Sequence, residues 1–99
     1  MPQNRLRPVH PGEILRDDVL KELGLSANGL AKALDVPANR VTAIVNRRRG
    51  ITADTALRLS RYLGTTPQFW MNLQSAYDLS VVEAEAGTEI KRDVHPRAA

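Results

Sequence analysis

The side chains best placed to do chemistry in this chain lie close together, in Ala38-Asn39-Arg40-Val41-Thr42-Ala43-Ile44-Val45-Asn46 and the Arg47-Arg48-Arg49 run that follows. What they offer is hydrogen bonding, not nucleophilic attack. An Asn carboxamide can grip adenine with two hydrogen bonds, an Arg guanidinium does the same for guanine, and small residues let a helix sink into a major groove. On a helix, Val41, Ile44 and Val45 form a narrow apolar stripe, which leaves Ala38, Asn39, Arg40, Thr42, Ala43 and Asn46 facing outward. Between Arg40 and Arg61 the chain holds Arg40, Arg47, Arg48, Arg49, Arg58 and Arg61 against one acid, Asp54. A solvated basic face is the ordinary reading of such a run. Here the arginines follow directly on the outward-facing helix, where the phosphates of a duplex would lie.

Those residues need a helix held in place by its neighbours. Ser26 can cap a preceding helix by accepting from an orphan amide, and Leu30, Ala31 and Leu34 then share one face. Asp35-Val36-Pro37 breaks that pattern, because a residue before proline is pushed out of the helical region while proline suits the first position of a new helix. The pair reads as a helix-turn-helix. Two short helices around a turn also occur in all-helical domains that bind no DNA, so the motif alone leaves both readings open.

An earlier helix opens at Pro11-Gly12-Glu13, runs to about Leu23 and ends at Gly24, a residue suited to the left-handed cap. Leu15, Val19 and Leu23, joined by Ile14 and Leu20, form its core face. Glu13, Asp17, Asp18 and Glu22 crowd the other side; with no apolar pocket to raise a pKa, they read as an exposed acidic face, or as one that meets a basic protein. After the arginine run, Gly50 suggests a loop with an unusual backbone angle. Thr52 caps a fourth helix with Asp54 in its first turn and Ala56, Leu57, Leu59 and Leu63 as its apolar set, ended by Gly64. Thr66-Pro67 starts a fifth, whose stripe of Phe69, Trp70, Leu73, Ala76 and Tyr77 reads as core with part left over for a subunit interface.

Residues 1–11, with Pro2, Pro8, Pro11, Arg5 and Arg7, read as an extended arm, either laid along DNA or a partner or simply unordered. His10 has no second ligand at metal spacing and reads as structural. Beyond Ser80, Val81-Val82-Glu83-Ala84-Glu85-Ala86-Gly87 extends or follows the fifth helix; residues 88–94 suit a short strand and residues 95–99 a loose tail. The division is thus an arm at 1–11, a DNA-binding domain at 12–79 and an extension at 80–99 that is a candidate for dimerisation.

At 99 residues, 42% hydrophobic and 4% aromatic, the chain suits one all-α domain. Its net charge of +3 is compatible with a polyanionic partner, though the distribution matters more than the size. Cysteine is absent, and there is no Gly-rich phosphate loop, no HExxH and no Gly-x-Ser-x-Gly. Enzymatic activity, a metal site and a cofactor are therefore not expected. Neither a signal-type apolar run nor eighteen consecutive apolar residues is present, so no membrane is expected and a cytoplasmic location is.

His10 to Leu15 (HPGEIL), Leu23 to Ser26 (LGLS), Leu30 to Asn46, Arg48 to Thr65 and Phe69 to Leu79 together resemble the HigA-type antitoxins, members of the Xre-like, Cro/C1-type helix-turn-helix family. The resemblance spans His10 to Leu79, and its ITADTALRL and FWMNLQ segments are more specific than a bare helix-turn-helix. It implies a five-helix, lambda-repressor-like fold and a homodimeric repressor of its own promoter that neutralises a co-expressed mRNA endonuclease toxin of the HigB type. By position it implies base-reading roles for Ala38, Asn39, Arg40 and Ala43. Phosphate contacts fall to Ser26, Ala27 and Asn28 at a helix amino end, and to Thr42, Asn46, Arg47, Arg48 and Arg49. Many relatives have Gly where Arg47 stands, so Asn46 is expected to take the left-handed cap instead. A stand-alone Xre-family regulator without a toxin, or an interaction module that has lost DNA binding, are the competing functions.

Overall fold

The computed structural model describes residues 9–98, and every regular element among them is a helix. Helix α1 is one rod in three segments, an α-turn at Pro11–Ile14, a π-helical stretch at Leu15–Leu20 and a last α-turn at Lys21–Leu23. It is followed by α2 (Ala27–Leu34), α3 (Ala38–Val45), α4 (Ala53–Leu63) and α5 (Pro67–Asp93).

Local sequence sets the helix starts. Ser26, Thr52 and Thr66 each accept from the amide three residues on, as their types predict. The start of α1 is held by a cap that its sequence did not suggest. His10 accepts through Nδ1 from the Gly12 amide at 2.9 Å, and the Glu13 carboxylate accepts from the His10 amide at 3.4 Å, a reciprocal capping box. His10 and Pro11 are therefore buried parts of the folded body and not of an extended arm. The rest of that expected arm, residues 1–8, lies outside the described residues.

The π-helical stretch explains a misplaced leucine. A spacing of four would line up Leu15, Val19 and Leu23, but a π-turn closes from residue i to i+5 and rotates the later side chains backward. Leu15 and Leu20 are the buried pair, whereas Leu23 is 51% exposed. They join Leu30, Ala31, Leu34, Val41, Ile44, Ile51, Ala56, Leu59 and Trp70 in one core fed by all five helices. In α4 the inward set is Thr55, Ala56 and Leu59; Leu57, expected among the core residues, is 59% exposed. Trp70 is fully buried and donates from its indole nitrogen to Thr65 Oγ1 at 2.8 Å. Phe69 packs edge-on against it but keeps much of its own surface open.

Helix α5 is longer than expected. The strand anticipated at 88–94 does not form; Gly87 is too weak a breaker, no proline intervenes, and the helix continues to Asp93. At 1.5 Å per residue it spans about 40 Å. Its first turns, through Trp70, Leu73 and Tyr77, brace the body, while Leu79, Val82 and Ile90 farther along are exposed. Residues 95–98 have no regular structure, and among the described residues no helix is long and apolar enough to cross a membrane.

Candidate nucleic-acid interface

Helices α2 and α3 form the anticipated helix-turn-helix, and its turn has a defined geometry. Asp35 takes the left-handed conformation at φ 58°, the Val36 amide donates to Ala31 O at 3.0 Å, and the Asp35 amide donates to Lys32 O at 3.1 Å. This is a Schellman ending built on an aspartate, a residue type that tolerates the left-handed region better than most. Pro37 then caps α3 from extended backbone.

In α3, Val41 and Ile44 are buried and Val45 is half-buried, which fixes the helix's roll. That roll leaves Ala38, Asn39 and Asn46 exposed, with Thr42 and Ala43 half-exposed beside them. Of the residues proposed to read bases, Arg40 is placed differently from the others. Its guanidinium is turned onto the Asp54 carboxylate of α4, and its side chain is 23% exposed. The same carboxylate oxygen accepts from Arg58 Nε at 2.8 Å. Arg58 in turn donates to Leu34 O at 2.9 Å and Asp35 O at 3.2 Å, satisfying carbonyls left unpaired where α2 ends. Hydrogen bonds from Arg58 and then Arg40 hold the Asp54 carboxyl below the usual carboxylate range. Sequence reading missed this cluster, although an acid four residues before an arginine on one helix was a usable signal.

At the other end of α3, the left-handed residue is Arg47, at φ 62°, and Asn46 stays at φ −88°, which corrects the expectation that Asn46 would take the cap. The Arg48 amide donates to Ala43 O at 2.8 Å and the Arg47 amide to Ile44 O at 2.9 Å, a second Schellman ending. The Asn46 side chain is spared the job because the motif places the left-handed residue one position later. Arg47 Nη1 lies 3.6 Å from the Glu13 carboxylate. Glu13 is thus no part of an exposed acidic face: its side chain is 12% exposed and engaged at the start of α1. Asp17, Asp18 and Glu22 remain at the surface. Arg48 and Arg49 stand exposed beyond the cap.

Two close approaches lock this end of α3. A Cβ on Gly12 would sit 1.9 Å from the Ile44 carbonyl oxygen, so α1 can touch α3 here only through a glycine. Gly50 does not take the unusual backbone angle expected of it. Its role is space: a Cβ there would meet the Gln74 side chain at 2.8 Å, and Gln74 Oε1 accepts from the Ile51 amide at 2.6 Å. A glutamine facing inward from the apolar side of α5 was the clue. At the amino end of α2, Ser26 spends its hydroxyl on the Gly29 amide at 3.0 Å; Asn28 is exposed and Ala27 half-buried beside the first amides of the helix. Among the described residues no group of His, Asp or Glu is arranged to hold a metal ion.

Residues 18–70 match the family described as Helix-turn-helix, HTH_3. The chain is similar to virulence-associated protein I of Dichelobacter nodosus, 55% identical over 84% of this chain and 77% of that protein. It is also similar to antitoxin HigA-1 of Vibrio cholerae, 39% identical over 80% of this chain and 74% of that one. Among solved structures, Pseudomonas aeruginosa antitoxin HigA with the higBA promoter superposes with a TM-score of 0.90 at 51% identity, covering 93% of this chain and 100% of the other. Its five-helix fold, the helix-turn-helix at its centre and these likenesses together place the chain in the HigA-type antitoxins of the Xre-like helix-turn-helix family, a family of DNA-binding regulators and not of enzymes.

Proposed function

We propose that the chain is the antitoxin of a type II toxin-antitoxin pair, working in the cytoplasm as a homodimer that represses its own promoter and neutralises a HigB-type mRNA endonuclease. The observation that carries this reading is the outward side of α3. Asn39 and its small neighbours are exposed, arginines follow at the carboxyl end, and the helix is fixed on its other side by buried Val41 and Ile44. That the similar Pseudomonas HigA is described with promoter DNA supports the same placement.

In this reading α3 enters the major groove with Ala38, Asn39 and Ala43 against base edges and Arg40 reaching guanine. Thr42, Asn46, Arg47, Arg48 and Arg49, with the α2 amino end at Ser26, Ala27 and Asn28, track the backbone. Double-stranded operator DNA needs a pair of such helices about one duplex turn, roughly 34 Å, apart. The exposed Leu79, Val82 and Ile90 on the far part of α5 supply an apolar surface for that pairing.

The test has two parts. The purified chain should shift a duplex from its own upstream region and not a scrambled duplex of the same length, with an affinity that falls steeply as salt rises. Equal binding to both duplexes would remove the operator reading. Co-expression with the adjacent reading frame should restore growth that the neighbour alone stops. If growth is never arrested, the chain is a stand-alone Xre-family regulator without a toxin.

A further inference from the structure

Resting on the operator reading above, we propose that Asp54 tempers the DNA affinity of the reading surface by holding Arg40 in reserve, a latch that must open before Arg40 can reach the duplex. In the free protein both Arg40 and Arg58 bind one carboxylate oxygen of Asp54. The two arginines are not equivalent. Arg58 has two further acceptors in the carbonyls of Leu34 and Asp35, and it stays put whatever Arg40 does. When Arg40 leaves, Asp54 keeps a cation beside it, so no uncompensated acid is left facing the DNA.

The exchange has a cost whichever acceptor takes Arg40. On Asp54 the Arg40 guanidinium has a charged acceptor, so a phosphate oxygen offers it a swap of like for like. The paired O6 and N7 of guanine offer a planar two-bond fit matched to the guanidinium fork. On a sequence lacking that guanine the Arg40–Asp54 pair stays closed and adds no net positive charge to α3. Asp54 is the more open partner, its side chain 53% exposed against 23% for Arg40, so water can take up the carboxylate as the pair opens. Asp54 is thus a positioning residue that acts through Arg40. It lowers affinity for operator and random duplex alike, since Arg40 must give up the carboxylate before it reaches either acceptor.

The experiment uses the full-length chain and fluorescence anisotropy across a salt series, with an operator duplex and a random duplex of equal length. Asp54→Asn frees Arg40 for phosphate. It should steepen the salt dependence on the random duplex by about 0.9 per chain, so by about 1.8 for a two-fold pair, which at one decade below 1 M salt is a complex roughly sixtyfold tighter. Operator affinity should rise by at least as much, because Arg40 no longer gives up a carboxylate to reach guanine. Asp54→Glu should behave as the unaltered chain. In an Arg40→Ala background, Asp54→Asn should change random-duplex binding far less, because nothing is left to release.

An unchanged salt slope in Asp54→Asn overturns the proposal, and so does an equal gain with and without Arg40, which would mean that Asp54 acts by its own repulsion of phosphate. Asp54→Ser, which keeps a small polar residue in the first turn of α4, serves if the Asn variant melts too low to assay. Failure of the unaltered chain to discriminate the two duplexes would sink the operator reading itself. An unchanged salt slope in Asp54→Asn, in a chain that still discriminates, sinks only the role of Asp54.

Discussion

Replacing Arg47 by glycine separates what this residue does for the fold from what it does for DNA. Arg47 sits at φ 62°, where a side chain costs roughly 1–2 kcal/mol relative to a right-handed position. Glycine removes that strain but gives the unfolded chain more freedom, a loss of about 0.5–1 kcal/mol. It also removes the ion pair with Glu13, which at 3.6 Å from a half-exposed guanidinium is a loose one; such pairs contribute at most a few tenths of a kcal/mol. The three effects nearly cancel, and the net is between neutral and about 1 kcal/mol stabilising. In a domain of this size that is a rise in Tm of no more than about 8 °C. DNA binding should respond in the opposite sense. Every phosphate-binding cation that is removed flattens the salt dependence by about 0.9, so a two-fold pair without Arg47 should have a slope shallower by about 1.8 and bind any duplex more weakly. Thermal melts and a salt titration by anisotropy report the two quantities on the same sample. A Tm lowered by Arg47→Gly would refute the strain argument, and an unaltered slope would take Arg47 off the phosphate list.

Three further outcomes are expected. Gly12→Ala should destabilise the chain by about 1–3 kcal/mol in urea titrations, because a methyl group cannot coexist with the Ile44 carbonyl; unchanged stability would mean α1 and α3 can part freely. Asn39→Ala should weaken binding by about 1–3 kcal/mol at one operator position and relax the base preference there, as read by binding to a panel of single-base operator variants; a retained preference would show that Asn39 reads no base. Burial, and after it the charge of Arg47, hold His10 below its ordinary 6.5, with Glu13 and Asp78 opposing. The unfolded chain therefore takes up this proton first on acidification. The stabilisation is complete above 6.5 and is lost as pH falls through that value toward the folded pKa, because a protonated Nδ1 can no longer accept from the Gly12 amide. The urea midpoint should fall over that window, and His10→Asn, which can still cap, should flatten the fall.

Most of the framework was legible because it is written in short-range signals. Ser26, Thr52 and Thr66 mark helix starts, Gly24 and Gly64 mark ends, and the spacing of Val41 and Ile44 gives the roll of α3. What escaped depends on contacts between elements far apart in sequence. The Gln74 brace on Ile51 and the Glu13 approach to Arg47 join residues that no local pattern relates. Leu23 was misplaced because the periodicity argument assumes 3.6 residues per turn, and a π-turn does not obey it. The strand expected at 88–94 failed for a simpler reason. A lone strand has no ladder partner, whereas a helix carries its own hydrogen bonds, so a polar stretch joined to an existing helix continues it at little cost.

Helix α5 is one unbroken rod with an anchored root and an open tip. Trp70 and Tyr77 tie the root to the body, while among the described residues nothing covers Leu79, Val82 or Ile90. Such a solitary helical overhang, with few tertiary contacts, is where a single chain should open most readily to a protease. If the pairing proposed for this stretch holds, a nick past Leu79 would leave the helix-turn-helix standing and cut away what joins two copies, so operator binding would weaken while a folded, single-headed remnant survives.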